Sequence, residues 1–288
     1  MSQLKALLTE WLERGESFIP RIVQVETRSR CNGSCAFCLA SHQNDPRPDE
    51  LMEMAVYDRI LDELVAIDYP NRLSLLNNNE PLLDHRIYDL LAKARGRLPR
   101  AYLELKTNGL NLTTERVVRL FDSGLDQLYV NDYRPDAEYE AGRHSPSVTK
   151  VMAELQAMRR FKGHCDGNRF IGTRIIVTRR RMTEVLGPRA GTSPNKQRPE
   201  PLTTPCFRPF EMFILSGKGK VALCSEDLLF QVPMGDITQQ SLMAIWRGPA
   251  YEEARRALLE GMRSRYSTCS HCEFRGYTRE IFVELGLI

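Results

Sequence analysis

Eight cysteines in a chain of 288 residues fall into three groups. Cys31, Cys35 and Cys38 lie within "CNGSCAFC", Cys165 stands alone in "GHCDGN", and Cys206, Cys224, Cys269 and Cys272 lie toward the end. A disulfide uses two thiols and a structural zinc site uses four ligands. Three thiolates spaced C-x3-C-x2-C suit a different object, a cubane [4Fe–4S] cluster held at three corners. Its fourth iron then stays open for a small molecule. Asn32, Gly33 and Ser34 allow the tight turn that wraps three ligands round one cube face. A zinc ion that borrows a distant fourth ligand, with His42 nearby, is the competing reading. Three cysteines of a plain core would not be embedded in Asn, Gly and Ser.

The last four cysteines form a complete ligand set. Cys206 and Cys224 flank a hairpin, and Cys269 and Cys272 form C-x2-C. Four thiolates close either a second [4Fe–4S] cluster or a structural zinc site, and spacing alone does not choose. A closed cluster has no open iron, so it cannot bind substrate, but it can accept an electron. Cys165, placed by sequence in a loop before a fifth strand, is the thiol not committed to metal. It is a candidate hydrogen-atom donor, as an epimerase would need.

The elements that must position these groups alternate. Strand-like runs at 21–28, 73–81, 101–109, 125–132 and 169–179 alternate with helical patterns at 52–67, 84–95, 113–124 and 149–161. Strand then helix, repeated, implies parallel βα units with function at the C-terminal strand ends. The polar clusters fall there: the cysteine loop, Asn77-Asn78-Asn79-Glu80-Pro81, Thr107-Asn108-Gly109 and Asn131-Asp132-Tyr133. Residues 187–205 read as a linker or functional loop, and 210–224 as a hairpin, followed by helices at about 240–247 and 250–262. The expected organisation is an N-terminal helix over 1–20 with Leu4, Leu7, Leu8, Trp11 and Leu12 on its packed face, a βα domain over 21–186 that suits either a doubly wound sheet or an open, incomplete barrel, and a small cysteine-centred domain over 187–288.

Bulk composition narrows the classes. Net charge is +3, hydrophobic content 42% and charged content 27%, ordinary for a globular protein and too mild for a nucleic-acid partner. Arg179-Arg180-Arg181 is the one dense basic run, and reads as a solvated strand end. No apolar stretch approaches the ~20 residues of a membrane span, and no signal peptide opens the chain. A cytoplasmic location is expected. There, cysteines imply metal or redox chemistry rather than disulfides.

With its aromatic Phe37 before the last cysteine, "CNGSCAFC" resembles the signature of the radical S-adenosylmethionine (SAM) superfamily. The resemblance implies an α/β fold, a partial (β/α)6 TIM-like barrel with a small C-terminal hairpin-plus-helix auxiliary iron–sulfur domain. It implies that Cys31, Cys35 and Cys38 ligate a [4Fe–4S] cluster whose open iron chelates SAM. "NNNEP" stands where the family carries a GGEP-type motif, so Asn78, Asn79 and Glu80 are implied contacts of the SAM amino group, with asparagines in place of glycines. Phe37 is implied near the adenine, and Thr107 and Asn108 along the SAM pocket. "GDI" (235–237) with Ile245-Trp246 resembles the SPASM/twitch extension, which makes Cys206, Cys224, Cys269 and Cys272 ligands of an auxiliary [4Fe–4S] cluster. "GPRAG" (187–191) resembles an NRAG-type motif with Pro188 for asparagine, and Arg189 is then a substrate contact or base. Within this group the compact layout most resembles an aminocyclitol dehydrogenase.

The implied reaction is reductive cleavage of SAM, hydrogen abstraction from a C–H bond of a small polar substrate such as an amino sugar or aminocyclitol, and oxidation with the auxiliary cluster as electron acceptor. An external one-electron donor such as flavodoxin or ferredoxin is implied. A peptide-modifying maturase, crosslinking or epimerising, is the alternative. The short segment before the first strand lacks the separate precursor-binding domain that many maturases carry, which favours the small substrate. A non-catalytic zinc module is the reading of another class.

Overall fold

A computed structural model describes residues 2–274 apart from 14, 16, 159–160, 173, 186, 188 and 198–199. Its strands are β1 (Ile22–Val25), β2 (Arg72–Ser74), β3 (Tyr102–Thr107), β4 (Gln127–Arg134), β5 (Gly163–Asp166), β6 (Arg169–Gly172), β7 (Ile175–Arg181), β8 (Met212–Leu215), β9 (Lys220–Ala222) and β10 (Pro233–Asp236). The helices are α1 (Ser2–Glu13), α2 (Met54–Ala66), α3 (Ile87–Arg97), α4 (Thr114–Asp122), α5 (Asp136–Glu140), α6 (Pro146–Gln156), α7 (Arg208–Glu211), α8 (Leu242–Trp246), α9 (Pro249–Leu259) and α10 (Ser267–Ser270).

One sheet carries all ten of these strands in the order β10-β9-β8-β1-β2-β3-β4-β7-β6-β5. The run β8-β1-β2-β3-β4-β7 is parallel throughout, as the strand–helix alternation implies and as the partial barrel of the resemblance requires. The C-terminal part of the chain supplies one of these parallel strands, because β8 pairs with β1 on the side away from β2. The cysteine-bearing hairpin therefore continues the barrel sheet.

Residues alternate across each strand. Val23, Val25, Leu73, Leu103, Leu105, Leu128 and Val130 enter the main core, packed with Ile60, Leu64, Leu91, Val117 and Leu120 from the covering helices. The other face carries Ser74, Glu104, Lys106, Tyr129, Asn131 and Tyr133. The barrel does not close, so that face reaches solvent and can be polar. Side chains of Arg72 and Lys106 are more than two-fifths exposed.

Caps fix several boundaries. Thr113 accepts from Arg116 N at the start of α4, and Ser145 accepts from Val148 N ahead of Pro146 in α6. Such caps satisfy amides that the first helical turn leaves free. Helix α6 begins three residues before its apolar periodicity does, because Ser145 and Pro146 form its start.

Some elements depart from expectation. The run 169–179 is not one strand but two, β6 and β7, paired antiparallel. "GHCD" is strand β5, not a loop; Cys165 pairs with Phe170 across a turn at Gly167, whose φ is +56°. In α1, Leu7, Leu8 and Trp11 are buried but Leu12 is 71% exposed; the side chain of Leu4 lies outside the described residues. Trp11 donates to Glu252 (3.1 Å) and packs edge-on against Phe210, so α1 rests on the C-terminal elements. Each arginine of the basic run has a partner: Arg179 donates to Gly142 O, Arg180 pairs with Glu184 and Arg181 with Glu140.

Candidate active site and auxiliary cysteine cluster

The chain leaves β1 through Glu26 and Thr27 and turns into the first cysteine loop. Two contacts fasten that loop to its surroundings: Glu80 N donates to Arg30 O (2.8 Å), and Ala36 N to Met182 O (3.2 Å). Gly33 N donates to the Cys31 sulfur (3.3 Å), and so does the Asn108 amide (3.6 Å). Burial, opposed by the Gly33 amide, pushes the Cys31 thiol up to about 11, and burial likewise pushes Cys35 up to about 12. The Cys31 and Cys35 sulfurs lie close to Gly33, whose Cβ position would be 3.4 Å from one and 3.8 Å from the other. As thiols, Cys31 and Cys35 hold their protons at neutral pH and release them only to a metal. His42 is turned elsewhere, with its Nδ1 on Gly33 O at 3.1 Å.

A cavity of about 230 Å³ opens beside the three sulfurs. It gathers Cys31, Cys35, Cys38, Phe37, Asn77, Asn78, Asn79, Glu80, Lys106, Thr107, Asn108, Asn131, Tyr133 and Arg189. The structure thus brings together every site residue expected near the first cluster. Phe37 packs against Tyr133, ring centroids 5.4 Å apart.

Glu80 is 2% exposed and takes three hydrogen bonds, from Leu82 N (3.0 Å), Thr107 Oγ1 (2.7 Å) and Asn108 N (2.7 Å). Burial raises its pKa against the pull of those donors. Its carboxylate therefore joins the β2 and β3 loop ends, and Thr107 and Asn108 act partly through it. Asn108 passes the constraint on, donating to Asn32 Oδ1 at 2.9 Å.

Asn78 is held at three points. Its N–H donates to Glu26 Oε2 (3.2 Å), its carbonyl accepts from Arg47 Nη2 (2.9 Å), and its side-chain oxygen accepts from Arg189. Asn79 Oδ1 accepts from Asn77 N (2.9 Å). With both oxygens taken, the Asn78 and Asn79 Nδ2 groups are left as buried donors without partners, as is that of Asn77. A buried unpaired donor is costly. Three of them beside one cavity fit a ligand rich in acceptors, as the carboxylate and ribose of SAM are.

Arg47 was not legible as a site residue. It forks onto Glu26 (2.9 Å) and Asp45 (2.9 Å) while reaching Asn78 O. Two of its partners, Glu26 and Asn78, lie 21 and 31 residues away and match no local pattern. Lys106 was also missed; it lines the cavity from the inner sheet face, with Nζ 3.5 Å from Glu104. Glu104 is 2% exposed and has only long contacts, with Ser74 (3.4 Å), Arg72 (3.4 Å) and Lys106.

The segment 187–205 is a loop that returns to this cavity. Arg189, Ala190 and Gly191 all have positive φ (+45°, +55° and +80°), a sequence of conformations that surrounding contacts must hold in place. Ser193 Oγ donates to Phe37 O (3.0 Å) on one side. On the other side, a Cβ at Gly191 would meet His271 at 3.0 Å. Pro188 lies outside the described residues.

The C-terminal cysteines are all buried, between 6% and 8% exposed. Burial raises Cys224 to about 12 and also raises Cys269 and Cys272, and in each the charge of Cys206 adds to the shift. The four sulfurs thus form one group. The approach to Cys206 is fixed by buried Arg263, which donates to Thr204 O (2.8 Å) and Pro205 O (3.0 Å). The "GDI" glycine has a packing role: a Cβ at Gly235 would meet Ile245 at 2.8 Å, so β10 can lie close on α8. The seven described cysteines are free. Among the described residues no group of three or more His, Cys, Asp or Glu is arranged to hold a single metal ion. The backbone of Cys165 lies in the edge strand β5; its side chain is outside the described residues.

Comparison with known proteins agrees with this geometry. Residues 25–162 match the radical SAM superfamily, and residues 206–273 match SPASM, an iron–sulfur cluster-binding domain. The chain is 26% identical over 251 residues to the S-adenosyl-L-methionine-dependent 2-deoxy-scyllo-inosamine dehydrogenase of Niallia circulans, covering 87% of this chain and 92% of that protein. A GTP 3′,8-cyclase of Mycobacterium marinum is 29% identical over 140 residues, 48% of this chain and 38% of the cyclase. In fold, the chain is similar to BtrN crystallised with AdoMet and 2-DOIA (TM-score 0.71, 23% identity, 88% of this chain and 93% of BtrN). It is also similar in fold to Streptococcus suis SuiB bound to its precursor peptide SuiA (TM-score 0.61, 12% identity, 98% and 77%). No helix among the described residues is long and apolar enough to cross a membrane. The chain carries a radical SAM domain and a C-terminal SPASM iron–sulfur domain, and is an enzyme that uses a [4Fe–4S] cluster and SAM.

Proposed function

We propose that this enzyme oxidises a small polar substrate of the amino-sugar or aminocyclitol class, as an alcohol dehydrogenase of radical type. Cys31, Cys35 and Cys38 hold the SAM-binding cluster, and Cys206, Cys224, Cys269 and Cys272 hold a closed auxiliary cluster. When bound and reduced, the first cluster with SAM supplies a 5′-deoxyadenosyl radical that can remove a hydrogen atom from an unactivated C–H bond. The auxiliary cluster, held by its four cysteines, would supply a one-electron acceptor for the rest of the oxidation.

The chain's own residues supply binding and position. Asn77, Asn78 and Asn79 turn their free amide donors to acceptors of SAM, with Glu26, Arg47 and Arg189 fixing Asn78 in place. Phe37 and Tyr133 wall the adenine side. Glu80, Thr107 and Asn108 lock the cavity rim to the cysteine loop. Below the cavity, Glu104, Lys106, Tyr129 and Asn131 offer a hydroxyl- or ammonium-bearing ring a bed of charged and polar groups. Glu104 is the specific anchor: it is buried, and its existing contacts are all at 3.4 Å or longer, so an ammonium or hydroxyl can improve on them.

The observation that carries this reading is the cavity itself, which places three thiols, three unpartnered amides and the polar inner sheet face in one space. The relative acting on 2-deoxy-scyllo-inosamine, matched over most of both chains, supports the substrate class. The test is anaerobic turnover of the reduced enzyme with SAM and a panel of aminocyclitols and amino sugars. Ketone product with one 5′-deoxyadenosine per turnover supports the reading. Turnover only of a peptide overturns it.

A further inference from the structure

The four C-terminal cysteines arrive on three separate stretches of chain, and one side chain touches all three. Arg208 follows Cys206 by two residues. Its Nη1 donates to Ser225 Oγ (3.0 Å) and to Glu226 Oε1 (3.0 Å), directly after Cys224. Its guanidinium lies 3.8 Å over the ring of Phe274, and the N–H of Phe274 donates to the Cys272 sulfur at 3.3 Å.

We propose that Arg208 is the fixed cation that sets the reduction potential of the auxiliary cluster. A cluster held by four thiolates becomes more negative by one charge when it accepts an electron. A nearby cation favours that reduced form over the oxidised one and raises the potential. The Arg208 side chain is 16% exposed, so water screens it weakly. A guanidinium keeps its charge at any pH the protein meets.

Glu226 works in the opposite sense. Its carboxylate, 3.0 Å from Arg208 Nη1 and two residues past Cys224, sets a negative charge beside the same four sulfurs. The two members of the pair therefore predict shifts of opposite sign. A raised potential serves oxidation in a defined way. Once a hydrogen atom has gone to the 5′-deoxyadenosyl radical, the alcohol carbon is a radical. It becomes a ketone by losing the hydroxyl proton and one electron, and a higher potential favours transfer of that electron.

The test is an anaerobic redox titration of the reconstituted full chain, followed by electron paramagnetic resonance. The signal of the auxiliary cluster is identified from the Cys31, Cys35, Cys38→Ala variant. Arg208→Gln is expected to shift the midpoint to lower potential, Glu226→Gln to higher potential, and Arg208→Lys to stay near wild type. Iron content measured in parallel shows that the cluster is intact. An unchanged midpoint in Arg208→Gln with full iron content overturns the proposal, as does an upward shift. If Arg208→Gln fails to assemble the cluster, Glu226→Gln decides: no upward shift overturns the proposal. Because the potential is read without substrate, its failure leaves the oxidoreductase reading standing.

Discussion

Arg189 donates to the side-chain oxygen of Asn78 across 111 residues of sequence, joining a strained loop to the wall of the cavity beside Cys31, Cys35 and Cys38. The bond fixes which end of the Asn78 carboxamide is left free, and under the proposed function that end meets SAM. A mobile asparagine could present either end, and only its amide end suits a carboxylate.

Removing that bond should therefore weaken SAM binding rather than the fold. A hydrogen bond from a charged group contributes about 1.5–3 kcal/mol. Arg189→Ala is expected to raise the SAM dissociation constant on the order of 10- to 100-fold, and Arg189→Lys to recover part of it. Anaerobic equilibrium binding measures this, and wild-type affinity in Arg189→Ala would contradict the role.

Gly191 should give the same phenotype from a distance. It has φ +80°, and a Cβ there would press on His271 at 3.0 Å. Gly191→Ala therefore combines left-handed strain of about 1–2 kcal/mol with a displaced loop. Its SAM affinity should fall toward that of Arg189→Ala, and in the double variant the two losses should not add. Full additivity would show that the loop does not act through Arg189.

Much of this site was legible because it is local. Three cysteines, the NNNEP run and the TNG turn each carry their chemistry within a few residues, and strand alternation put them at one end of the sheet. What was not legible depends on long-range partners. Arg47 and Glu26 look like ordinary surface charges until Asn78 is placed between them. Strand β8 could not be joined to β1 from periodicity, since nothing local fixes which edge a late strand chooses. The strand position of Cys165 did have a signal: Gly167-Asn168 between two extended runs is a two-residue hairpin turn. Leu12 fits the helical stripe of α1 yet is exposed, because the surface beneath ends at Trp11.

At the end of β4, pH should matter. Burial alone would raise the pKa of Asp132, but hydrogen bonds from His144 (2.8 Å) and Ser145 N (2.9 Å) outweigh it and the net shift is downward. A depressed carboxylate pKa stabilises the fold above the unfolded-state value of about 3.9, and the stabilisation is lost as pH falls through the lower folded-state value. Urea midpoints measured from pH 6 down to pH 3 should fall more steeply for the wild type than for Asp132→Asn. Parallel curves would rule out this contribution.

Substrate recognition has its own test at Glu104. Glu104→Gln keeps the shape of the buried group but removes its charge. For an ammonium-bearing substrate, KM is expected to rise by roughly tenfold or more, the loss of about 1.5 kcal/mol or more for a hydrogen bond to a charged group. SAM affinity should not change. A KM equal to wild type would place the substrate elsewhere.

Cys165 separates oxidation from epimerisation. Cys165→Ala is expected to leave ketone formation intact, since a dehydrogenase returns no hydrogen atom to its substrate. Loss of product with continued release of 5′-deoxyadenosine would instead make the thiol a hydrogen donor and the enzyme an epimerase.

Two separate iron–sulfur clusters, one open to SAM, are tested most directly by iron, sulfide and zinc analysis after anaerobic reconstitution. The wild-type chain should hold about eight iron atoms and eight sulfides, and the Cys31, Cys35, Cys38→Ala variant about four of each. One zinc per cysteine group, with no iron retained, would contradict the assignment of both sites.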